Sequence, residues 1–356
     1  MTPQRIGLIG AGWISETYMA ALAQLPEARP VAVWSRSARR AQAFARRHGL
    51  ERATDDVTAL LSAVDVVCVN SPNACHATHA IQAARAGKHV IVEKPLAVSL
   101  EQGEAIVDAC RSAGVGLAYA EELAFAPRIV RARDCIRAGA LGEVRYVTQR
   151  EAHAGPYSAW FFTRDEAGGG VLMDLACHSI ECVRALLGKP AARRISADLR
   201  TFDRARSHLE DHAVLQLSFD GGAQALCEAS WVLEGGMQST LEVWGSAGTL
   251  RLDLLGETGI RIFSKDGSRE LGLSPGWSAA PVDAVAEAGY TGELRHFLEC
   301  FRTGKAPEET GQDGLAVLEI LCAGYLAARS ERAVALPHRP PPVERAVDLW
   351  LGDPPT

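Results

Sequence analysis

Residues 5–15 read RIGLIGAGWIS, and this stretch decides the fold. Ile6, Leu8 and Ile9 form the kind of apolar run that suits a strand buried on both faces of a parallel sheet. The run enters Gly10-Ala11-Gly12-Trp13-Ile14-Ser15 and then a helical pattern with Met19, Leu22 and Leu25. This is a Gly-x-Gly-x-x-Ser variant of the dinucleotide fingerprint. Gly10 allows a tight turn, and Gly12 lets the backbone approach a pyrophosphate lying on the N-terminus of a helix opened by Trp13 and Ile14. Ser15 is small enough for that helix to pack on the strand. A strand before the glycines and a helix after them make the signal stronger than the glycines alone.

The next strand is predicted over Pro30–Trp34. About 20 positions past the fingerprint, a site for an unphosphorylated ribose expects a carboxylate. Here Ser35-Arg36-Ser37 follow, then Arg39 and Arg40. A hydroxyl with the Arg36 and Arg40 guanidiniums suits a 2′-phosphate, so NADP(H) is expected over NAD(H). The alternative is that these arginines only form the exposed face of a helix.

Strand-helix alternation continues. Val64–Val69 reads as a strand, Asn70-Ser71-Pro72-Asn73 as a turn, and 74–86 as an Ala-rich helix closed by Gly87. Residues 88–95, KHVIVEKP, place Val90, Ile91 and Val92 before Glu93, Lys94 and Pro95. Proline cannot donate to a sheet ladder, so the strand stops there. In open α/β sheets ligands bind outside the carboxyl ends of strands, which is where Lys94 stands. A lysine that merely caps a strand is the plainer alternative. A helix over Ser99–Ala113 and a strand over Val115–Tyr119 complete a doubly wound parallel sheet.

The bulk numbers agree with a two-domain globular chain. There are 356 residues, 47% hydrophobic and 22% charged. The net charge of −6 gives no reason to expect nucleic acid or an anionic membrane as partner. No apolar run reaches the roughly 18 residues of a membrane span, and the N-terminus lacks a secretory layout. Nine cysteines, mostly in apolar runs and none spaced as Cys-x-x-Cys, point to free thiols and a cytoplasmic location.

A second domain follows. Pro127–Arg137 reads as a helix, and from Glu143 the periodicity turns to alternation. Ala213–Phe219 and Ala223–Trp231 flank a Gly221-Gly222 hairpin; Ser239–Trp244 and Thr249–Leu254 flank another turn. The expected architecture is an α+β domain with a large, mostly antiparallel open sheet. Residues 154–170, AGPYSAWFFTRDEAGGG, form a long loop whose Tyr157, Trp160 and Arg164, together with Glu181 beyond it, are candidate substrate contacts. A hydrophobic plug is the alternative. Asp174, His178 and Glu181 then share one predicted helix face. A carboxylate one turn before an imidazole can orient it as a general base for an alcohol proton. Cys177, His178, Glu181 and Cys182 also cluster, with His153 and His212 as further donors, but no spacing matches a zinc pattern, and no metal is expected.

The segments GAGWIS, SPNACHATHAIQAARAGKHVIVEKP and YAEELAFAP resemble the Gfo/Idh/MocA oxidoreductases, and the resemblance runs to about residue 337. It implies a Rossmann domain over 1–122 and a substrate and oligomerisation domain over 123–337; beyond these, the proline content of 338–356 reads as a C-terminal tail, an arm or a partly disordered segment. The resemblance also implies that Lys94 lies beside the nicotinamide, that the Lys94–Pro95 peptide is cis, and that Ser71, Pro72, Asn73, His76, Glu93 and Glu121 attend the cofactor. Relatives often carry Glu-Asn where this chain has Glu121-Glu122. Carried over residue by residue, Lys94, Asp174 and His178 are the catalytic set; Glu181 stands where relatives often have Asp. The implied activity is hydride exchange between nicotinamide and a secondary alcohol or ketone of a sugar, polyol, cyclitol or glycoside, by a homodimer or homotetramer joined through the second sheet. Two alternatives belong to the same resemblance: a glycosidase that cycles a bound NAD, and a cofactor-sensing regulator without catalysis. Retention of Lys94, Asp174 and His178 argues against the regulator.

Overall fold

The computed structural model describes residues 2–256, 259–280 and 288–352. The chain forms two compact units, 1–122 with 289–316 and 123–288 with 317–356. In the first unit the elements alternate: β1 (Gln4–Ile9), α1 (Trp13–Leu22), β2 (Ala28–Trp34), α2 (Ala38–His48), β3 (Arg52–Thr54), α3 (Val57–Leu61), β4 (Val66–Val69), α4 (His76–Arg85), β5 (His89–Glu93), α5 (Leu100–Ala113) and β6 (Leu117–Ala120). The sheet order is β3-β2-β1-β4-β5-β6, all pairs parallel. Order reverses between β1 and β4, the switch point at which such sheets open a crevice for ligands. Ile6, Leu8, Val66, Val67, Val90 and Val92 are fully buried, as a sheet covered on both faces requires.

Local chemistry sets the helix boundaries. Ser37 caps α2 by accepting from Arg40 N, and Ser99 caps α5 by accepting from Gln102 N. Left-handed Gly49 and Gly114 end the same helices.

Residues 289–316, placed by the sequence in a continuous 123–337 domain, fold with the first unit instead. The helix Tyr290–Thr303 buries Leu294, Phe297, Leu298 and Phe301. Phe301 stacks on His89 with ring centroids 4.8 Å apart, and Tyr119 N donates to Glu309 O at 3.1 Å. The returning chain thereby covers the β6 edge, which would otherwise present unpaired backbone groups.

The second unit carries α6 (Pro127–Arg137), β7 (Val144–Ala152), α7 (Arg164–Ala167), α8 (Cys177–Leu187), β8 (Ala192–Arg200), β9 (His212–Phe219), β10 (Gln224–Ser230), β11 (Gln238–Gly245), β12 (Gly248–Asp253), β13 (Ile260–Ser264), β14 (Gly276–Ala280) and β15 (Val334–Ala335). Its nine-stranded sheet has the order β14-β13-β12-β11-β7-β10-β9-β8-β15. Every neighbouring pair is antiparallel except β10 with β7. One face buries Val147, Leu215, Leu217, Ala225, Cys227, Leu241 and Val243. The other shows Trp244 and Trp277 about half exposed, with Phe263 beside Trp277.

The proline-rich tail is not a free arm. Ala346, Val347 and Leu349 are buried, and Arg164 holds Asp348 at 2.7 Å and Gly352 O at 3.0 Å. Residues 353–356 of the expected tail lie outside the described residues.

Candidate active site

In the first unit the predicted cofactor residues collect at the carboxyl ends of the strands. Gly10 adopts φ +124°, and a Cβ there would stand 2.4 Å from Asn70 O. Only glycine fits, because β1 and β4 approach so closely at this point. Gly12, the N-cap of α1, has no heavy atom within 4 Å of where a Cβ would project, leaving room above the helix N-terminus for a pyrophosphate. Trp13 and Ile14 open α1, and Trp13 is mostly exposed. Ser15 fills the third fingerprint position: its Oγ donates to Gly10 O at 2.8 Å and accepts from Asn70 Nδ2 at 3.2 Å. These contacts fit a dinucleotide lying over β1 and β4.

Ser35 and Arg36 follow β2 directly, and Arg36 and Arg40 are exposed. Ser37 N donates to Ser35 Oγ at 3.3 Å, so this hydroxyl belongs to a formed turn. Trp34 meets His79 edge-on at 4.9 Å, and His79 Nδ1 lies 3.0 Å from Ser71 Oγ. Neither Trp34 nor His79 was singled out in the sequence, because an apolar strand end and a helix-face histidine carry no motif.

Ser71-Pro72-Asn73 follow β4, and Ser71 and Asn73 are buried. His76, expected to line the cofactor, is fully buried, with Nδ1 2.9 Å from Pro95 O and Nε2 2.9 Å from Ser71 O. Burial pushes the imidazole down to about 4 against the pull of those carbonyls, and the ring stands between the β4 loop and the β5 loop. The Lys94–Pro95 peptide is cis, as the resemblance implied. Glu93 Oε2 accepts from Lys94 N at 3.1 Å. Burial, reinforced by the charge of Glu122, pushes the Glu93 carboxyl up to about 8, while Lys94 pulls it back. Burial also holds Glu293 well above the carboxylate range, with Glu122, Glu93, Glu121 and Glu309 adding to the effect. Tyr290 and Tyr18 flank this group, their rings 6.1 Å apart. Glu121 and Glu122 are both buried, and their charges add to the effect of burial on this group. Glu293 was missed because a glutamate on an amphipathic helix reads as surface.

A cavity of this unit, about 430 Å³, is lined by Arg5, Arg29, Glu51 and Arg52. It lies at the amino ends of the strands and is not the cofactor crevice.

In the second unit Asp174 and His178 do not sit on one regular α-helix. Asp174 stands in a π-turn, Leu172–Ala176, and His178 in the first turn of α8. Single π-turns occur mostly at functional sites. Asp174 is 5% and His178 6% exposed. Asp174 Oδ2 accepts from Trp231 Nε1 at 3.0 Å, a contact the sequence did not predict. Glu181, a substrate candidate, is completely buried and paired with Arg184 and with Lys189 Nζ at 3.3 Å. A carboxylate buried this deeply requires such counter-charges. Arg164, the other charged candidate, is engaged by Asp348 as described. The aromatic loop is partly ordered: Ala159–Phe162 makes a 3₁₀ turn, Trp160 stacks on Phe161 at 3.7 Å, and Tyr157 is 92% exposed. Phe162 meets Trp231 edge-on, with the Arg206 guanidinium 4.3 Å over its ring. These two rings, with Asp203, Arg206 and Glu234, line a cavity of about 150 Å³.

A doubly wound sheet with a glycine-built switch point, followed in the chain by an open mixed sheet, fits a dinucleotide-binding protein. The comparisons make this specific. Residues 4–121 match the model described as the oxidoreductase family with an NAD-binding Rossmann fold, and residues 129–251 match the GFO/IDH/MocA C-terminal domain. The chain is 30% identical to D-apiose dehydrogenase of Paraburkholderia graminis, over 92% of this chain and 88% of that one. It is 29% identical to scyllo-inositol 2-dehydrogenase (NAD+) of Bacillus subtilis, over 93% and 96%. Among solved structures, GenD2 from gentamicin A biosynthesis in complex with NAD superposes with a TM-score of 0.84 at 30% identity, covering 95% of this chain and 97% of that one. The chain belongs to the GFO/IDH/MocA family of oxidoreductases and is a nicotinamide-dependent enzyme acting on a CH–OH group. Among the described residues no helix is long and apolar enough to cross a membrane.

Proposed function

We propose that the protein oxidises a secondary alcohol of a sugar, polyol, cyclitol or glycoside, or reduces the matching ketone. The observation that carries this reading is Lys94, placed at the carboxyl end of β5, within a sheet whose glycines fit a dinucleotide. In the oxidative direction His178 takes the hydroxyl proton and Asp174 fixes the imidazole. The Lys94 ammonium holds the substrate oxygen and stabilises its negative charge as the proton leaves. When bound, the nicotinamide supplies the hydride acceptor; the chain supplies position and field. The cavity beside Phe162 and Trp231 supports a carbohydrate-like substrate, because aromatic faces bounded by Asp203, Arg206 and Glu234 match a sugar's apolar faces and hydroxyl edges.

The cofactor is NADP(H) in preference to NAD(H). Ser35 and Arg36 at the end of β2, with no carboxylate there, support this. Trp244, Phe263 and Trp277 on the open face of the nine-stranded sheet support a homo-oligomer built through that face. Nine free cysteines support work in the reducing cytoplasm.

The test is turnover of a panel of sugars, cyclitols and glycosides with NADP+, followed by change in nicotinamide absorbance. Lys94→Ala and His178→Ala should each lose most turnover while binding NADPH as the parent does. Near-parental rates in either variant would defeat the assignment.

A further inference from the structure

Gly168-Gly169-Gly170 lead into the π-turn that carries Asp174. A helix start leaves its first amides without intrahelical partners. Here one residue meets three in succession: Glu210 Oε1 accepts from Gly170 N at 2.9 Å and Leu172 N at 3.2 Å, and Glu210 O accepts from Val171 N at 2.9 Å. Tyr325 OH donates to the same Oε1 at 2.6 Å. The fit leaves no room for side chains. A Cβ on Gly169 would stand 2.1 Å from Tyr325 Oη, and one on Gly170 2.0 Å from Glu210 O. Gly170 O then accepts from both Met173 N at 3.1 Å and Asp174 N at 3.0 Å, so the backbone of Asp174 is hung from the residue that Glu210 holds.

The next residue in the chain reaches the other side of Asp174. Asp211 O accepts from Trp231 N at 2.7 Å, and the Trp231 indole N–H donates to Asp174 Oδ2. Asp211 is itself fixed, its carboxylate accepting from Phe202 N at 2.8 Å and Asp203 N at 2.7 Å. Trp231 is 3% exposed and Glu210 fully buried. Two consecutive residues thus determine where the backbone of Asp174 begins and where its carboxylate points.

We propose that Glu210 and Trp231 are positioning residues for Asp174, acting on its backbone through the Gly170 turn and on its carboxylate through the indole N–H. The inference rests on the reading that Asp174 and His178 carry the acid–base step. Burial pushes the Glu210 carboxyl up to about 7 against the pull of its donors, and glutamine, which keeps the Oε1 acceptor without charge, is therefore the conservative replacement.

The experiment is steady-state kinetics across pH on the full-length enzyme with Trp231→Phe, Glu210→Ala and Glu210→Gln, with Asp174→Asn as reference. Trp231→Phe removes one donor to a buried carboxylate and should lower kcat about 10- to 100-fold with the cofactor KM nearly unchanged. Losing that donor leaves more negative charge facing the base, so the acidic limb of the kcat/KM profile moves to higher pH. A packing role alone would not move that limb. Glu210→Ala should lower kcat at least about 10-fold, and Glu210→Gln should restore most of that loss. If Glu210→Ala does not fold, the Trp231→Phe profile decides. An inactive Asp174→Asn beside a Trp231→Phe with parental kcat and an unmoved limb would overturn the inference. An Asp174→Asn with parental activity would instead overturn the acid–base reading beneath it.

Discussion

The two fingerprint glycines answer to different constraints, and alanine at each should separate folding from cofactor binding. At Gly10 a methyl group would be forced to 2.4 Å from Asn70 O while the backbone holds φ +124°. The conformation alone costs about 1–3 kcal/mol in a residue with a Cβ, and relieving the overlap costs a further 1–3 kcal/mol or so. For a unit of this size, that total of roughly 2–6 kcal/mol lowers Tm by about 4–24 °C. At Gly12 nothing lies within 4 Å and the backbone is extended, so alanine costs only the weaker N-cap, about 1 kcal/mol or less. The same methyl occupies the space through which a pyrophosphate meets the α1 amides, and should weaken NADPH binding about 10-fold or more. Calorimetric unfolding without nucleotide and titration with NADPH measure the two effects. Gly10→Ala should lose stability, and Gly12→Ala should lose affinity at nearly parental Tm. Parental NADPH affinity in Gly12→Ala would refute the placement of the pyrophosphate.

Four further outcomes follow from particular side chains. Arg36→Ala should weaken NADPH about 10-fold or more, the worth of one charge-assisted contact, and leave NADH within about twofold; equal loss for both nucleotides would remove the 2′-phosphate reading. The Glu93 carboxyl keeps its proton to about pH 8 in the folded chain but releases it near 4.5 when unfolded. The folded state thus holds more protons across that window, and the contribution is full below pH 4.5 and lost as pH rises through 8, at no more than about 1.4 kcal/mol per pH unit. Glu93→Gln should flatten the fall of Tm with pH there, and an unchanged slope would show that Glu93 ionises normally. Arg164→Ala should cost roughly 1–3 kcal/mol of stability by releasing Asp348 while leaving substrate KM unchanged; a raised KM at parental Tm would return Arg164 to the substrate site. Trp277→Glu places a charge on the open sheet face and should shift the protein to smaller species in sedimentation, whereas an unchanged mass would move the interface elsewhere.

The first unit was legible because its signals are local. Buried strands, glycine-closed helices and proline at a strand end each fix a short stretch of backbone, and the strand ends then place Gly10, Ser71 and Lys94 together through topology alone. The α6 prediction, Pro127–Arg137, matches its observed limits, with proline as the first helical residue. What escaped the sequence is long-range. Periodicity shows that Leu294, Phe297 and Phe301 share a buried face but not which sheet covers them. The amides ahead of the π-turn are held by Glu210, 38 to 40 residues further on, and Glu210 is in turn held by Tyr325, so a regular helix was the natural reading of LMDLACHS. Arg164 looked like a substrate contact because its counter-ion, Asp348, lies far along the chain, and Glu181 because its burial against Arg184 and Lys189 is not visible in the helix pattern.

The central claim is hydride exchange between the nicotinamide and a carbon bearing a hydroxyl group. Its most direct test uses the first alcohol that turns over, deuterated at the reacting carbon, with the recovered nucleotide and product weighed by mass spectrometry. The account predicts one deuterium on the nicotinamide for each ketone formed, with none returned to the organic product. Deuterium retained in the product, or lost to water while product accumulates, would contradict net hydride transfer as the function of this enzyme.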